Sequence, residues 1–257
     1  MCKHVAAVDF QRAIRVSPET ATADAFFLNY PTRQKAVAFC AGEVRRFFRD
    51  LLHNPAATIL NGSLPRGEPR RAPGMRYGRV VVIAHSMGAV VARRALLDLD
   101  RPDAPDGLDD ADRAKIRLLF FAPAHTGSTI PLLIASGFGL DALPGAKAVG
   151  ELLALHYRSL RDLAIGSRSL SKLEGDNKAA RARHAQAGRA ADHLIAFVFH
   201  ADGDEVVEAD AFDADPPLSG IIGTHHRSVC KPNEVYPTPV ASLRAVLGPA
   251  RPQWPLE

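Results

Sequence analysis

Short runs of consecutive apolar residues, separated by amphipathic stretches, recur along the chain. Four of them stand out: residues 24–30 (D-A-F-F-L-N-Y), 79–84 (R-V-V-V-I-A), 116–122 (I-R-L-L-F-F-A) and 194–200 (L-I-A-F-V-F-H), with a weaker fifth at 218–223. Each is apolar at successive rather than alternate positions, as in strands covered on both faces. Between the first two, Val37, Cys40, Val44, Phe47, Phe48 and Leu51 recur at three- and four-residue spacing and predict a core helix, with Arg45, Arg46 and Arg49 on its other faces. Further helical periodicity covers residues 87–100 and 238–247. Strands alternating with helices predict an α/β fold, a mostly parallel sheet with helices on both faces.

Residues 62–78 carry Pro, Gly and Arg without periodicity and read as an exposed loop whose positive charge is a solvated surface. The acidic stretch 98–112 reads the same way. From 129 to 192 the pattern is helical but uneven. It includes I-P-L-L-I-A-S-G-F-G-L and ends in a polar stretch rich in Ala and Arg, and it lies between two core strands as a helical cap insertion. The apolar part of this cap fits either an acyl-chain site or packing on the core. No fixed-period repeat interrupts a single domain covering residues 1–257.

Composition narrows the class. A chain of 257 residues that is 47% hydrophobic and 23% charged is long and apolar enough to bury a core, which excludes disorder and fibrous structure. Thirty-two Lys and Arg against 28 Asp and Glu leave +4, too small a surplus to support nucleic-acid binding despite a pI near 9.1. Cys2, Cys40 and Cys230 are scattered, odd in number and without a C-x-x-C pair, so reduced thiols in a cytosol-like compartment are expected. No run of 18 apolar residues occurs and the first ten residues lack the features of a signal peptide, so neither a membrane span nor secretion is expected.

The chemistry centres on Ala84 to Gly88, A-H-S-M-G, which joins a strand directly to a helix. A serine at the tip of such a turn presents its hydroxyl out of the sheet, provided the residues two before and two after are small. Ala84 and Gly88 meet that demand. Ser86 is therefore the candidate nucleophile, the alternative being a plain helix N-cap. Met87 would offer its backbone N–H to an oxyanion, and His85 is expected to pack.

The stretch V-V-V-I-A-H-S-M-G resembles the nucleophile elbow of α/β-hydrolase lipases and esterases, some of which also carry alanine at the first position. The resemblance implies the chain order serine, acid, histidine, with the acid after a late strand and the histidine before the last helix. After L-I-A-F-V-F-H comes A-D-G-D-E-V-V-E, which places the acid at Asp204 with Asp202 as runner-up. I-I-G-T-H-H-R-S-V-C-K-P then precedes the terminal helix and places the base at His226, with His225 as the alternative. The segment A-P-A-H-T-G-S (122–128) is similar to the Pro-His-x-Gly-Ser loop of many lipases, and makes His125 a supporting or turn-stabilising residue.

A metal reading of His200, Asp202, Asp204, His225 and His226 matches no closed ligand spacing and leaves Ser86 unexplained. Acyl transfer to water from a small ester or lipid needs neither metal nor cofactor. Relatives carry an earlier strand and a His-Gly-type loop that supplies a second oxyanion N–H, and nothing before residue 24 resembles it. The N-terminal strands are thus expected to be missing, and the competing reading is a truncated, non-catalytic binding domain of the same fold.

Overall fold

The computed structural model describes residues 23–30, 35–56, 74–129, 161–216, 219–233 and 235–247. Four strands, β1 (Val80–His85), β2 (Ile116–Phe121), β3 (Ala196–Ala201) and β4 (Ser219–Ile221), form one sheet in the order β1-β2-β3-β4. Every neighbouring pair is parallel, with Val80 opposite Ile116, Leu118 opposite Ala196 and Phe199 opposite Ser219. The helices are α1 (Val37–His53), α2 (Met87–Leu99), α3 (Asp110–Lys115), α4 (Arg168–Gln186) and α5 (Thr238–Leu247), and a 3₁₀ turn at Asp192–Leu194 leads into β3. Parallel neighbours cannot be joined by a hairpin, so each connection has to cross over outside the sheet.

Leu118, Leu119, Phe120 and Phe121 are all fully buried although they alternate between the two faces of β2, so the sheet is covered on both sides. On the Phe120 side the cover is α2, whose Arg93 guanidinium lies over the Phe120 ring; α5 packs against β1 and β2. The stripe anticipated on α1 is the one it buries, except that Phe47 is half-buried. Val37, Cys40, Val44, Phe48 and Leu51 face inward and the helix packs across α2. A buried ion pair ties α2 to the start of β3. Arg93 donates to Asp215 Oδ2 at 2.6 Å and to the Leu194 carbonyl at 2.7 Å, and Asp215 Oδ1 accepts the Ala196 N–H at 2.8 Å.

Two expectations are corrected. Residues 24–30 form no strand: Phe26 packs edge-on against Phe47 and Tyr77, whereas Phe27 and Leu28 are exposed. An aromatic run that touches the protein along one side gains its burial from ring contacts and does not require a ladder. The acidic stretch 98–112 is also more than a solvated loop. Asp100 and Asp112 are buried, Asp106 pairs with Arg45 at 2.6 Å and with Arg49 at 3.4 Å, and Asp109 caps α3 by accepting the Asp112 N–H at 2.6 Å. Its carboxylates are matched by cations on α1 and α3 and by N–H groups, which is what allows them into the interior.

About half of the expected cap, residues 130–160, lies outside the described residues. Its described portion includes α4, which packs on α2 through a side carrying Leu170, Leu173 and Ala180, with an ion pair between Arg94 and Asp176. The leading-strand expectation concerns residues 1–22, which also lie outside the described residues, as does most of the basic loop 62–78. Among the described residues no helix is long and apolar enough to cross a membrane.

Candidate active site

β1 ends at His85 and α2 begins at Met87, so Ser86 alone makes the turn between them. Its φ of 53° and ψ of −127° lie where a side chain is rarely tolerated. The strained residue is held on both sides: its N–H donates to the Phe121 carbonyl at 3.0 Å, and its carbonyl accepts the Ala89 N–H at 3.1 Å. The Ser86 side chain makes no capping bond to α2, so the N-cap alternative does not describe it. A Cβ on Gly88 would lie 3.3 Å from the Tyr30 hydroxyl and 3.8 Å from Ala84 Cβ. The close neighbour that glycine at 88 spares is thus the Tyr30 hydroxyl, and the Ala84 methyl stands at ordinary contact distance, so alanine at 84 is sterically harmless.

The Ser86 hydroxyl meets His226. Ser86 Oγ lies 3.1 Å from His226 Nε2, and His226 Nδ1 lies 2.9 Å from Asp204 Oδ2. A carboxylate can only accept, so Nδ1 carries the proton and donates to Asp204; Nε2 is then the acceptor for the Ser86 O–H. The second Asp204 oxygen accepts from Val206 N–H at 2.9 Å and Val207 N–H at 3.2 Å. Burial alone would push the Asp204 carboxyl up. The bond from His226, that ring's proximity and the two N–H groups outweigh it and hold the carboxyl below its usual range.

The runner-up residues sit elsewhere. Asp202 is exposed and accepts the Thr224 N–H at 3.3 Å, a turn contact. His225 is exposed, and its ring Nδ1 accepts the Arg227 N–H at 3.3 Å. His125 is buried against Phe120 and Phe212, with ring centroids 5.5 and 4.6 Å away. Burial and then the Arg93 charge hold it neutral.

The surrounding 126–129 segment knits the acid loop in place: Thr126 Oγ1 donates to the Glu208 carbonyl at 2.9 Å and Thr129 N–H to the Val206 carbonyl at 2.8 Å. His85 does more than pack. Its Nε2–H donates to the His226 carbonyl at 2.7 Å. Sequence reasoning had no handle on that bond, because its acceptor is a backbone oxygen far along the chain.

Met87 opens α2, where a backbone N–H has no acceptor within the helix and the helix dipole favours negative charge. The group can therefore stabilise an oxyanion formed at Ser86.

Away from Ser86, Asp100, His184 and His193 bring a carboxylate and two imidazoles within 4.8 Å of one another. The geometry suits hydrogen bonding better than metal binding. His184 Nε2 lies 2.7 Å from Asp100 Oδ2, His193 Nε2 lies 3.1 Å from Oδ1, and Arg113 donates to Oδ1 at 2.8 Å. As a metal ligand through Nε2, His193 would need an acceptor for its Nδ1–H, and that atom is buried without a hydrogen-bond partner.

No protein-family model matches the sequence, and no curated protein matches it significantly. Solved structures do match. Phospholipase PlaB from Legionella pneumophila aligns over 95% of this chain and 55% of its own, with a TM-score of 0.56 and 14% identity in its complex with thio-NAD. A second structure of PlaB gives 0.54 and 15% with the same coverage. This chain thus spans about half the length of that phospholipase. The mature lipase BlEst2 from Bacillus licheniformis aligns over 82% of this chain and 75% of its own, with 12% identity and a TM-score of 0.41. The likeness to PlaB at these identities is a likeness of fold, and the fold is of the α/β-hydrolase type.

Proposed function

We propose that this chain is a serine hydrolase of carboxylic esters, lipase- or esterase-like, acting through an acyl-enzyme on Ser86. A fold alone carries no activity. The observation that supports this reading is the unbroken hydrogen-bonded chain from Ser86 Oγ through both His226 nitrogens to Asp204. Ser86 Oγ attacks the ester carbonyl carbon while its proton passes to His226 Nε2; Asp204 accepts from Nδ1–H and stabilises the imidazolium. Met87 N–H binds the oxyanion. As the tetrahedral intermediate collapses, the C–O bond to the alcohol breaks and His226 returns the proton to the departing oxygen. Water then attacks the acyl-serine and gives a proton to Nε2; as the second tetrahedral intermediate collapses, the bond from the acyl carbon to Ser86 Oγ breaks, His226 passes that proton to Oγ, and the carboxylic acid leaves. Every atom and proton is accounted for without a cofactor. That a solved structure with a similar fold is a phospholipase supports an ester or lipid as substrate.

A fluorophosphonate probe tests the reading. Labelling of the wild-type protein that disappears in Ser86→Ala is expected. A folded wild-type sample that takes no label would overturn it in favour of a non-catalytic binding domain.

A further inference from the structure

His226 lies in a run of turns between β4 and α5, so no ladder or helix fixes its backbone. Its carbonyl is held from across the site. His85, the last residue of β1 and the neighbour of Ser86, donates Nε2–H to that carbonyl at 2.7 Å, and the two rings lie 4.7 Å apart at 47°. We propose that His85 is a positioning residue for the base: by anchoring the His226 main chain to the rigid end of β1, it fixes the point from which the His226 ring is aimed at Ser86. Nucleophile and base are then joined twice, once through their side chains and once through the strand that carries the nucleophile. The inference rests on the serine-hydrolase reading.

The anchor has to survive the reaction. Burial first, then the neighbouring His226 ring and, more weakly, Lys231, push the His85 pKa down to about 3, against the bond to the His226 carbonyl and the pull of the Asp204 carboxylate. His85 is therefore a neutral imidazole at working pH and remains a donor while His226 takes and returns its proton.

A packing role and an anchoring role differ in one respect, the N–H. His85→Gln keeps an N–H near the Nε2 position, whereas His85→Met has similar length and no donor. For p-nitrophenyl butyrate, His85→Met is expected to lower kcat ~10-fold or more with KM within about 2-fold, and His85→Gln to stay within about 3-fold of wild type. Fluorophosphonate labelling of Ser86 should slow in parallel with kcat. Equal losses in the two variants, or none in His85→Met, overturn the proposal. A second measurement needs no variant: ring-nitrogen NMR of the wild-type protein should show His85 as the neutral Nε2–H tautomer from about pH 8 to about pH 5. A charged ring or the Nδ1–H tautomer in that range overturns it whatever the variants do. Wild-type protein that is folded yet neither labelled nor active counts against the hydrolase reading itself, and the inference falls with it. An active wild type with an indifferent His85→Met removes the inference alone.

Discussion

The Gly203 N–H donates to the Thr224 carbonyl at 3.2 Å, and a Cβ on Gly203 would lie 3.1 Å from that same oxygen. Gly203 precedes Asp204 and Thr224 lies two residues before His226, so this contact sets the distance between the acid loop and the histidine loop. In Gly203→Ala the loops have to separate by a few tenths of an ångström, which lengthens the Nδ1 to Oδ2 contact. We expect kcat for a p-nitrophenyl ester to fall ~10-fold with an unchanged circular dichroism spectrum. Full activity in that variant would show that the two loops adjust independently.

Asp204 and Asp202 should separate cleanly. Asp204→Asn replaces an acceptor by a group that can donate toward Nδ1, so His226 loses the tautomer that leaves Nε2 open to the Ser86 proton. The rate should fall by roughly 10³ to 10⁴. Asp202→Asn keeps an oxygen that can accept the Thr224 N–H and should stay within a few-fold of wild type. The opposite ranking in steady-state assays would transfer the acid role to Asp202.

Arg93 and Asp215 form a buried pair, with both side chains at 1% exposure or less. Removing one partner strands the other in the interior. Asp215→Ala should lower the unfolding free energy in urea by about 3 to 5 kcal/mol. Replacing both residues with apolar side chains of similar volume should recover much of that loss. Additive losses in the double variant would mean the pair contributes nothing as a pair.

Acid should destabilise the fold well before the carboxylates protonate. Burial depresses the pKa values of His85, His125, His193 and His200 below the ordinary 6.5. The unfolded chain then binds protons that the folded state refuses, so stability is full above that value and is lost as pH falls through it. His85 alone, at about 3 when folded, corresponds to about 2 kcal/mol at pH 5. The lowered Asp100 and Asp204 act in a more acidic window, since their contribution disappears only below the usual carboxylate range. Urea midpoints should hold level from pH 8 to about 6.5 and then fall towards pH 5; a profile flat down to pH 5 would mean that these histidines titrate normally.

What could be read in the sequence follows from where the information lies. β2 and β3 are continuous apolar runs because they are buried on both faces, whereas β1, a similar run, is half-buried along its length; Ser86 is marked by its place between strand and helix, and Asp204 and His226 by the chain order that the family resemblance implies. The structure brings those three together. Residues 24–30 have the same composition as a strand, yet composition does not record that only one side of that segment is covered. The acidic stretch 98–112 hid a buried Asp100, because its partners His184 and His193 lie 84 and 93 positions away. The bond from His85 to the His226 carbonyl was invisible for a related reason, since every residue has a carbonyl and none is marked as the acceptor.

Ser86 follows β1 and Asp204 follows β3, two strand spacings or roughly 10 Å apart, and one imidazole with its two hydrogen bonds fills that gap. β2 contributes no member of the chain, but it sets the span and fixes Ser86 through the Phe121 carbonyl. Sliding β1 by one residue against β2 would exchange its two faces and carry the serine about 3.3 Å along the strand, beyond the reach of the ring. Alignment of the sheet is therefore a reagent of the proposed reaction, and a folding error of a single residue would leave a protein with native secondary structure and an inert serine.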